Sequence, residues 1–252
     1  MGAAITAVAL TGLPEIHAGD EPAELIAAAM PSGAPAPDDV LVVAHKFISK
    51  AEGRTRALSQ VTVGERARAL AAELGKDPRH VQVVLDETRE VRRATRGVLI
   101  SVTHHGFVCA NAGVDASNAP DDDTVILLPV DPDDSARRLR AGLRTRLGVA
   151  PAVLITDSFG RPWRNGQVDV AIGCAGLAPL EDWRGRADAR GRELKATWIA
   201  AADELAAAAD LARAKDGMQP AVLVSGAGRH VIADDGPGVL PLLREPATDL
   251  FR

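Results

Sequence analysis

Aromatic rings are scarce in this chain of 252 residues, which carries four Phe, three Trp and no Tyr. A surface that grips nucleic acid by stacking bases on rings needs more of them. A net charge of −5 at pH 7 also excludes a protein whose whole surface attracts phosphate backbones. A local basic pocket for a phosphorylated small molecule stays open. Cysteine is nearly absent: Cys109 and Cys174 stand far apart, without a CxxC pair or a Cys/His cluster beside either. Neither a zinc site nor a disulfide scaffold is indicated, and a reducing cytoplasm is the expected location. No signal peptide and no membrane span are expected. The N-terminus lacks a basic stretch followed by an apolar run, and the most apolar helical stretch, Ala196 to Ala212, contains Asp203, Glu204 and Asp210. Also missing are a GxxxxGK(S/T) loop, a GxGxxG turn after a strand, GxSxG and HExxH.

What is present is the ordinary balance of a folded globular protein, 46% apolar and 25% charged. The length suits one large domain or two small ones sharing a core. Short apolar runs at Ile5–Leu10, Val40–Ala44, Val98–Thr103, Val125–Leu128, Val153–Thr156 and Val222–Val224 read as strands. Helices are expected at about Pro22–Met30, at Val63–Leu74 with Gly75 as its stop, at Asp133–Leu147 closed by Gly148, and at Ala196–Ala214. Alternation of this kind predicts an α+β (mixed α/β) fold, mixed sheets with packed helices, whose strand order is not readable from the sequence.

Four segments carry chemistry. In Ile155–Gln167 an apolar strand runs into Asp157, then Ser158, Gly160, Arg161 and Pro162. A carboxylate and a hydroxyl at a strand end can ligate a hard cation, with arginines near to meet phosphates; equally, Asp157 can cap a turn. Asn111–Asn118 packs Gly113, Asp115, Ser117 and Asn118 into a loop that reads either as an Asx turn or as a close backbone approach to a ligand. The two Asp-centred loops together suggest convergence on a divalent cation. The third segment, His45–Arg54, holds two of only five lysines, Lys46 and Lys50, in a chain with 24 arginines. Point-like ammonium groups suit nucleotide phosphates, while a solvated helix start balanced by Glu52 is the plainer alternative. Gly12–Ile16 is a turn after the first strand whose backbone can line a base pocket. The adjacent His104 and His105, the run Arg137, Arg138, Arg140, Arg144 and Arg146, and Asp121–Asp123 read as structural histidines, a solvated helix face and an exposed loop.

Taken in order, Gly12–Ile16, Val43–Arg54, His104–Asn118, Val153–Gly173 and Ala202–Leu211 resemble the coenzyme F420-0:L-glutamate ligase family (coenzyme F420 gamma-glutamyl ligases) over nearly the whole chain. The resemblance implies a GTP-dependent ligase. It would join L-glutamate to coenzyme F420-0 through an activated acyl phosphate and then add further γ-linked glutamates. It implies Mg²⁺ or Mn²⁺ at two sites, with K⁺ as a further cation. Carried over by position, Asp115 and Asp157 become catalytic metal ligands and Ser158 the hydroxyl ligand of the second metal. Leu13, Pro14, Glu15, Ile16, His45, Lys50 and Asn118 become GTP contacts, and Arg161, Trp163 and Arg164 face the coenzyme.

The resemblance further implies an intertwined homodimer and one catalytic unit over 1–252, of two subdomains at most, without the C-terminal flavin domain of the mycobacterial relative. Val102 departs from a Glu common in relatives, and Arg213-Ala214-Lys215 replaces a Gly-containing turn that helps enclose the nucleotide. A same-family ligase with another acid acceptor or amino acid, or a non-catalytic nucleotide-binding regulator, are the competing readings.

Overall fold

In the computed structural model, which describes residues 4–33, 35–214 and 216–249, the apolar runs meet in one five-stranded sheet. In chain order the first elements are β1 (Thr6–Ala9), α1 (Pro22–Ala29), β2 (Val40–Ala44), α2 (His45–Ala51) and β3 (Thr55–Ala57). Then follow α3 (Glu65–Leu74), α4 (Pro78–Asp86), β4 (Thr88–Thr95), β5 (Val98–Thr103), β6 (Val108–Ala110) and β7 (Thr124–Ile126). The remainder holds α5 (Pro132–Leu147), β8 (Ala152–Arg161), β9 (Arg164–Ala175), β10 (Glu181–Asp182), β11 (Trp198–Ile199), α6 (Ala201–Asp210) and β12 (Ala221–Ser225). The class is mixed α+β, as expected.

The large sheet runs β1-β12-β2-β8-β9; β2 and β8 are parallel and the other neighbours antiparallel. Val40–Val43 and Val153–Ile155 are fully buried. That is why they read as unbroken apolar runs rather than alternating ones: a parallel pair covered on both faces has no solvent side. Smaller sheets are β4-β5-β6, β3-β7 and β10-β11. Among the described residues the apolar core falls into two clusters, one around the large sheet and one where α3 and α4 pack near Leu99, Val114 and Val125. Among the described residues no helix is long and apolar enough to cross a membrane.

Helix limits follow their signals closely. Gly75 and Gly148 end α3 and α5 in the left-handed conformation that glycine adopts without strain, donating to Ala71 O and Arg144 O. Asp131 caps α5 by accepting from Asp134 N, with Pro132 in the first turn.

Three expectations need correction. The strand through Val153–Thr156 does not stop before Asp157; it continues to Arg161 and returns as β9, paired from Asp157↔Val170 to Gly160↔Gln167. The Gly160-Arg161-Pro162 signal marks the hairpin tip, not a loop that begins at Asp157. The stretch Ala196–Ala214 is not one helix either: Trp198–Ile199 is β11, paired with β10, and α6 covers only Ala201–Asp210. Alanine-rich composition extended the helix past both ends, and its residue Lys215 neighbour in the expected nucleotide turn lies outside the described residues. Finally, Arg140 is not part of a solvated face. It is 5% exposed, pairs with Asp235 Oδ1 at 2.7 Å and donates to Ile232 O and Ala233 O, fastening the C-terminal segment to α5. Arg138, by contrast, is exposed and pairs with Glu52 and Asp134.

Close packing of α5 on β9 makes Gly173 restrictive. A Cβ there would lie 2.4 Å from the carbonyl C and O of Pro132. Gly173→Ala is expected to cost about 1–3 kcal/mol through forced displacement of α5, measured as a lower urea midpoint at unchanged slope.

Asp203 joins the opposite side of β9 to α6. Its Oδ1 accepts the Ala171 N–H at 2.9 Å, beside the irregularity where Ile172 is left over between Ile155↔Gly173 and Thr156↔Ala171. Burial pushes the Asp203 carboxyl up, against the pull of that N–H. The folded chain therefore holds this proton more tightly than the unfolded chain does. The stability it contributes is full below the ordinary carboxyl range and is lost as pH rises through the raised value. Asp203→Asn keeps an acceptor and removes the charge. Its stability at about pH 7 is expected to match or exceed wild type, with a shallower decline from about pH 4 upward, in denaturation curves across that range.

Candidate active site

The register of the parallel pair sets the site. Ala44 of β2 lies beside Thr156 of β8, so the next residues, His45 and Asp157, emerge side by side at the carboxyl end of β2. Crevices at the carboxyl ends of parallel strands are where open α/β sheets receive ligands. No loop separates β2 from α2, so His45 and Lys46 form the first turn of that helix.

His45 is buried; its Nδ1 lies 3.2 Å from Ser49 Oγ one turn on, and its Nε2 faces Asp157 Oδ1 at 3.4 Å without a hydrogen-bond partner. Lys46, the next residue, projects to the second carboxylate: its Nζ is 2.6 Å from Asp115 Oδ2 and 2.5 Å from Ser117 Oγ. Asp115 also accepts from Ser117 N at 2.7 Å and Ser117 Oγ at 2.9 Å, and its backbone is bridged to Ile126. Burial raises the Asp115 carboxyl, but the hydrogen bonds from Lys46 and Ser117 together outweigh it and hold the group below the usual carboxylate range. One turn further along α2, Lys50 is ion-paired with Glu15 of the segment after β1. Three expected blocks thus meet on successive positions of one short helix: Asp157 through His45, Asp115 through Lys46, and Gly12–Ile16 through Lys50.

The remaining expected residues are placed as follows. Leu13 and Ile16 are buried in the main core, whereas Pro14 and Glu15 are exposed. Asn118 is exposed at φ +57°, three residues beyond Asp115. Ser158 stands directly across from Asp169 and donates to its Oδ1 at 2.7 Å, while Asp157 stands across from Val170. Directly opposed residues share a face and successive ones alternate, so the hydroxyl of Ser158 and the carboxylate of Asp157 point to opposite faces of the hairpin. Arg161, Trp163 and Arg164 lie at its tip, roughly 13–20 Å along the strand from Asp157 at about 3.3 Å per residue. Trp163 is 77% exposed there and Arg161 donates to Asn165 O at 2.6 Å. The tip is not brought to α2.

Three residues outside the expected site set belong to this picture. Lys46 belongs to the lysine pair suited to nucleotide phosphates, but nothing in its spacing points to Asp115 as its partner. Cys109 of β6 is buried near Asp157; burial first, and then that negative charge, push its thiol up to about 12, so it stays a thiol at neutral pH. Asp169 is a carboxylate inside the apolar run Val168–Gly173, a signal in itself, since a buried charge demands partners. Val102, the departure in β5, is buried in the sheet and paired with Glu90 and Val108.

Hard oxygens at Asp115 and Asp157, with an unpartnered buried imidazole nitrogen beside the latter, suit a divalent cation. Among the described residues no three His, Cys, Asp or Glu are gathered closely enough to hold a metal unaided. A cation here would complete its shell from a bound ligand or water.

At the carboxyl end of a buried parallel strand pair, successive residues of α2 contact two separate carboxylates, an arrangement that suits an enzyme for a charged small molecule. Residues 12–226 match the family model described as F420-0:Gamma-glutamyl ligase, and the chain belongs to that family. It is 42% identical over 252 residues to the coenzyme F420:L-glutamate ligase of Methanothermobacter thermautotrophicus, covering 98% of this chain and 99% of the relative. Proteins of the same name from Methanopyrus kandleri and Haloarcula marismortui are 45% and 43% identical over 94% and 97% of this chain.

Proposed function

We propose that this chain is a ligase that joins the amine of L-glutamate to the carboxylate of coenzyme F420-0, and then adds γ-linked glutamates, with GTP as the phosphoryl donor. The observation that carries the reading is the first turn of α2, where successive residues meet Asp157 and Asp115. The acceptor carboxylate attacks the γ-phosphorus of GTP and GDP leaves. The resulting acyl phosphate is attacked by the glutamate amine, phosphate departs, and the amine gives up a proton. Phosphoryl transfer needs positioning and charge compensation more than covalent help from the protein.

Residue roles follow from placement. Lys46 and Lys50 are cations on one face of α2, able to meet the phosphates of a nucleotide laid across its first turns, and Glu15 orients Lys50. The backbone of Leu13–Ile16 and the exposed Asn118 border the same face and suit the nucleoside. Asp115 and Asp157 would hold a divalent cation, Mg²⁺ or Mn²⁺, which when bound neutralises phosphate charge and orients the γ-phosphoryl group. Holding His45 against Asp157 keeps that carboxylate aimed at the cleft. Arg161, Trp163 and Arg164, on a tip far from α2, suit the distal part of a long coenzyme, and the exposed Trp163 suits a position between two copies of the chain.

The test is direct. Purified protein is incubated with F420-0, L-glutamate, GTP and Mn²⁺, and products are followed by mass spectrometry with GDP assayed in parallel. Mass gain in glutamate steps with GDP release is expected. No mass gain and no GDP overturns the reading, and GDP without glutamate addition assigns the enzyme another acceptor.

A further inference from the structure

We infer that this chain carries its second cation in its own sequence: the guanidinium of Arg213 pairs with Asp169, the carboxylate that also accepts the Ser158 hydroxyl, so that the only divalent ion the chain binds is the one at Asp115 and Asp157. The inference rests on the metal reading above and concerns the hydroxyl that the family resemblance assigns to a second metal.

Asp169 is 2% exposed, and its carboxylate accepts from Thr156 Oγ1 at 2.8 Å and from Ser158 Oγ at 2.7 Å. It is ion-paired with Arg213, whose side chain is 9% exposed. The same guanidinium lies 3.1 Å from Thr156 Oγ1, 3.5 Å from Asp210 Oδ1 and 3.4 Å from Pro220 O. Arg213 is therefore seated by acceptors from β8, β9, α6 and the start of β12's approach, in the stretch where the sequence departs from a Gly-containing turn.

Two physical consequences follow. A divalent ion reaching for Ser158 Oγ would approach a hydroxyl whose proton already goes to Asp169, and would stand within a few ångströms of a fixed positive charge in a poorly screened interior. It would also need Asp169, whose negative charge Arg213 already balances; displacing the arginine would leave a buried cation without its partner, which is strongly unfavourable. The Asp115 side is different. Lys46 is 19% exposed on a flexible stem, so it can swing aside as a divalent ion enters. The face alternation along β8 adds to this, since Ser158 and Asp157 cannot share one cleft-facing cluster without rotation of the strand.

Crystals grown with Mn²⁺ and a non-hydrolysable GTP analogue, measured at the manganese absorption edge, test the inference. A single anomalous peak per chain, bounded by Asp115 and Asp157, is expected. A second peak, in particular one coordinated by Ser158 or Asp169, overturns the inference while leaving the ligase reading intact. No peak at Asp115 and Asp157 overturns both the inference and the metal reading. In solution, Asp169→Asn is expected to bind as much Mn²⁺ per chain in equilibrium dialysis as wild type, and a loss of bound Mn²⁺ in a variant that melts cooperatively makes Asp169 a ligand and overturns the inference.

Discussion

Asp157→Asn is expected to lower glutamate addition by about 10³-fold or more, the scale on which a preorganised charge in a transition state is felt, while the protein remains folded. The substitution is nearly isosteric. The one local bond that the carboxylate makes to the backbone, from Ser158 N at 2.8 Å, is available equally to an amide oxygen. What disappears is the negative charge facing His45 at the carboxyl end of β2. Asp115→Asn is expected to be comparably severe, and the double variant little worse than either, because groups that act as one unit lose their effects together. Product mass per minute, with circular dichroism to confirm the fold, reads the result; a wild-type rate in Asp157→Asn removes that residue from the machinery.

Arg213→Met has the largest expected effect on stability. It leaves Asp169 buried and charged without its guanidinium, a change of about 3–5 kcal/mol, or roughly 6–20 °C in Tm for a chain of this size. Because both side chains are shielded from solvent, little of this is expected to be recovered or lost with added salt. The double variant Asp169→Asn, Arg213→Met removes both charges and keeps an acceptor for the Thr156 or Ser158 hydroxyl. It is expected to regain most of the loss, since a buried pair replaced as a unit is often close to neutral. Calorimetric melts of the two single variants and the double variant close the cycle. A double variant no more stable than Arg213→Met would show that the arginine acts through packing rather than charge.

Much of the scaffold was legible because its signals are local. The glycines at 75 and 148 fix the ends of α3 and α5, and the runs at Val40–Ala44 and Val153–Ile155 announce a buried strand pair. The hairpin was harder. Gly160, Pro162 and Gly166 are turn formers, and their density concealed a 10-residue strand followed by a 12-residue one. The site was legible as separate pieces. Asp115 and Asp157 stand out on loop chemistry, yet their placement against adjacent residues of α2 depends on long-range pairing, including the parallel register of β2 with β8. Asp169 and Arg213 are 44 positions apart, and nothing local in either pairs it with the other.

The alternation of Asp157 and Ser158 also bears on which changes in length the chain can accept. Shifting β8 by a single residue would exchange the carboxylate and the hydroxyl between the two faces of the hairpin, breaking the Asp169 network and the His45 contact at one stroke. Deletions or insertions between Ala152 and Ser158 should therefore be rejected, whereas the exposed tip around Pro162–Gly166 has no such constraint and is the place where length can drift. The hairpin is thus a graduated structure: its inner half sets the chemistry by counting residues, and its outer half is free to vary with whatever it touches.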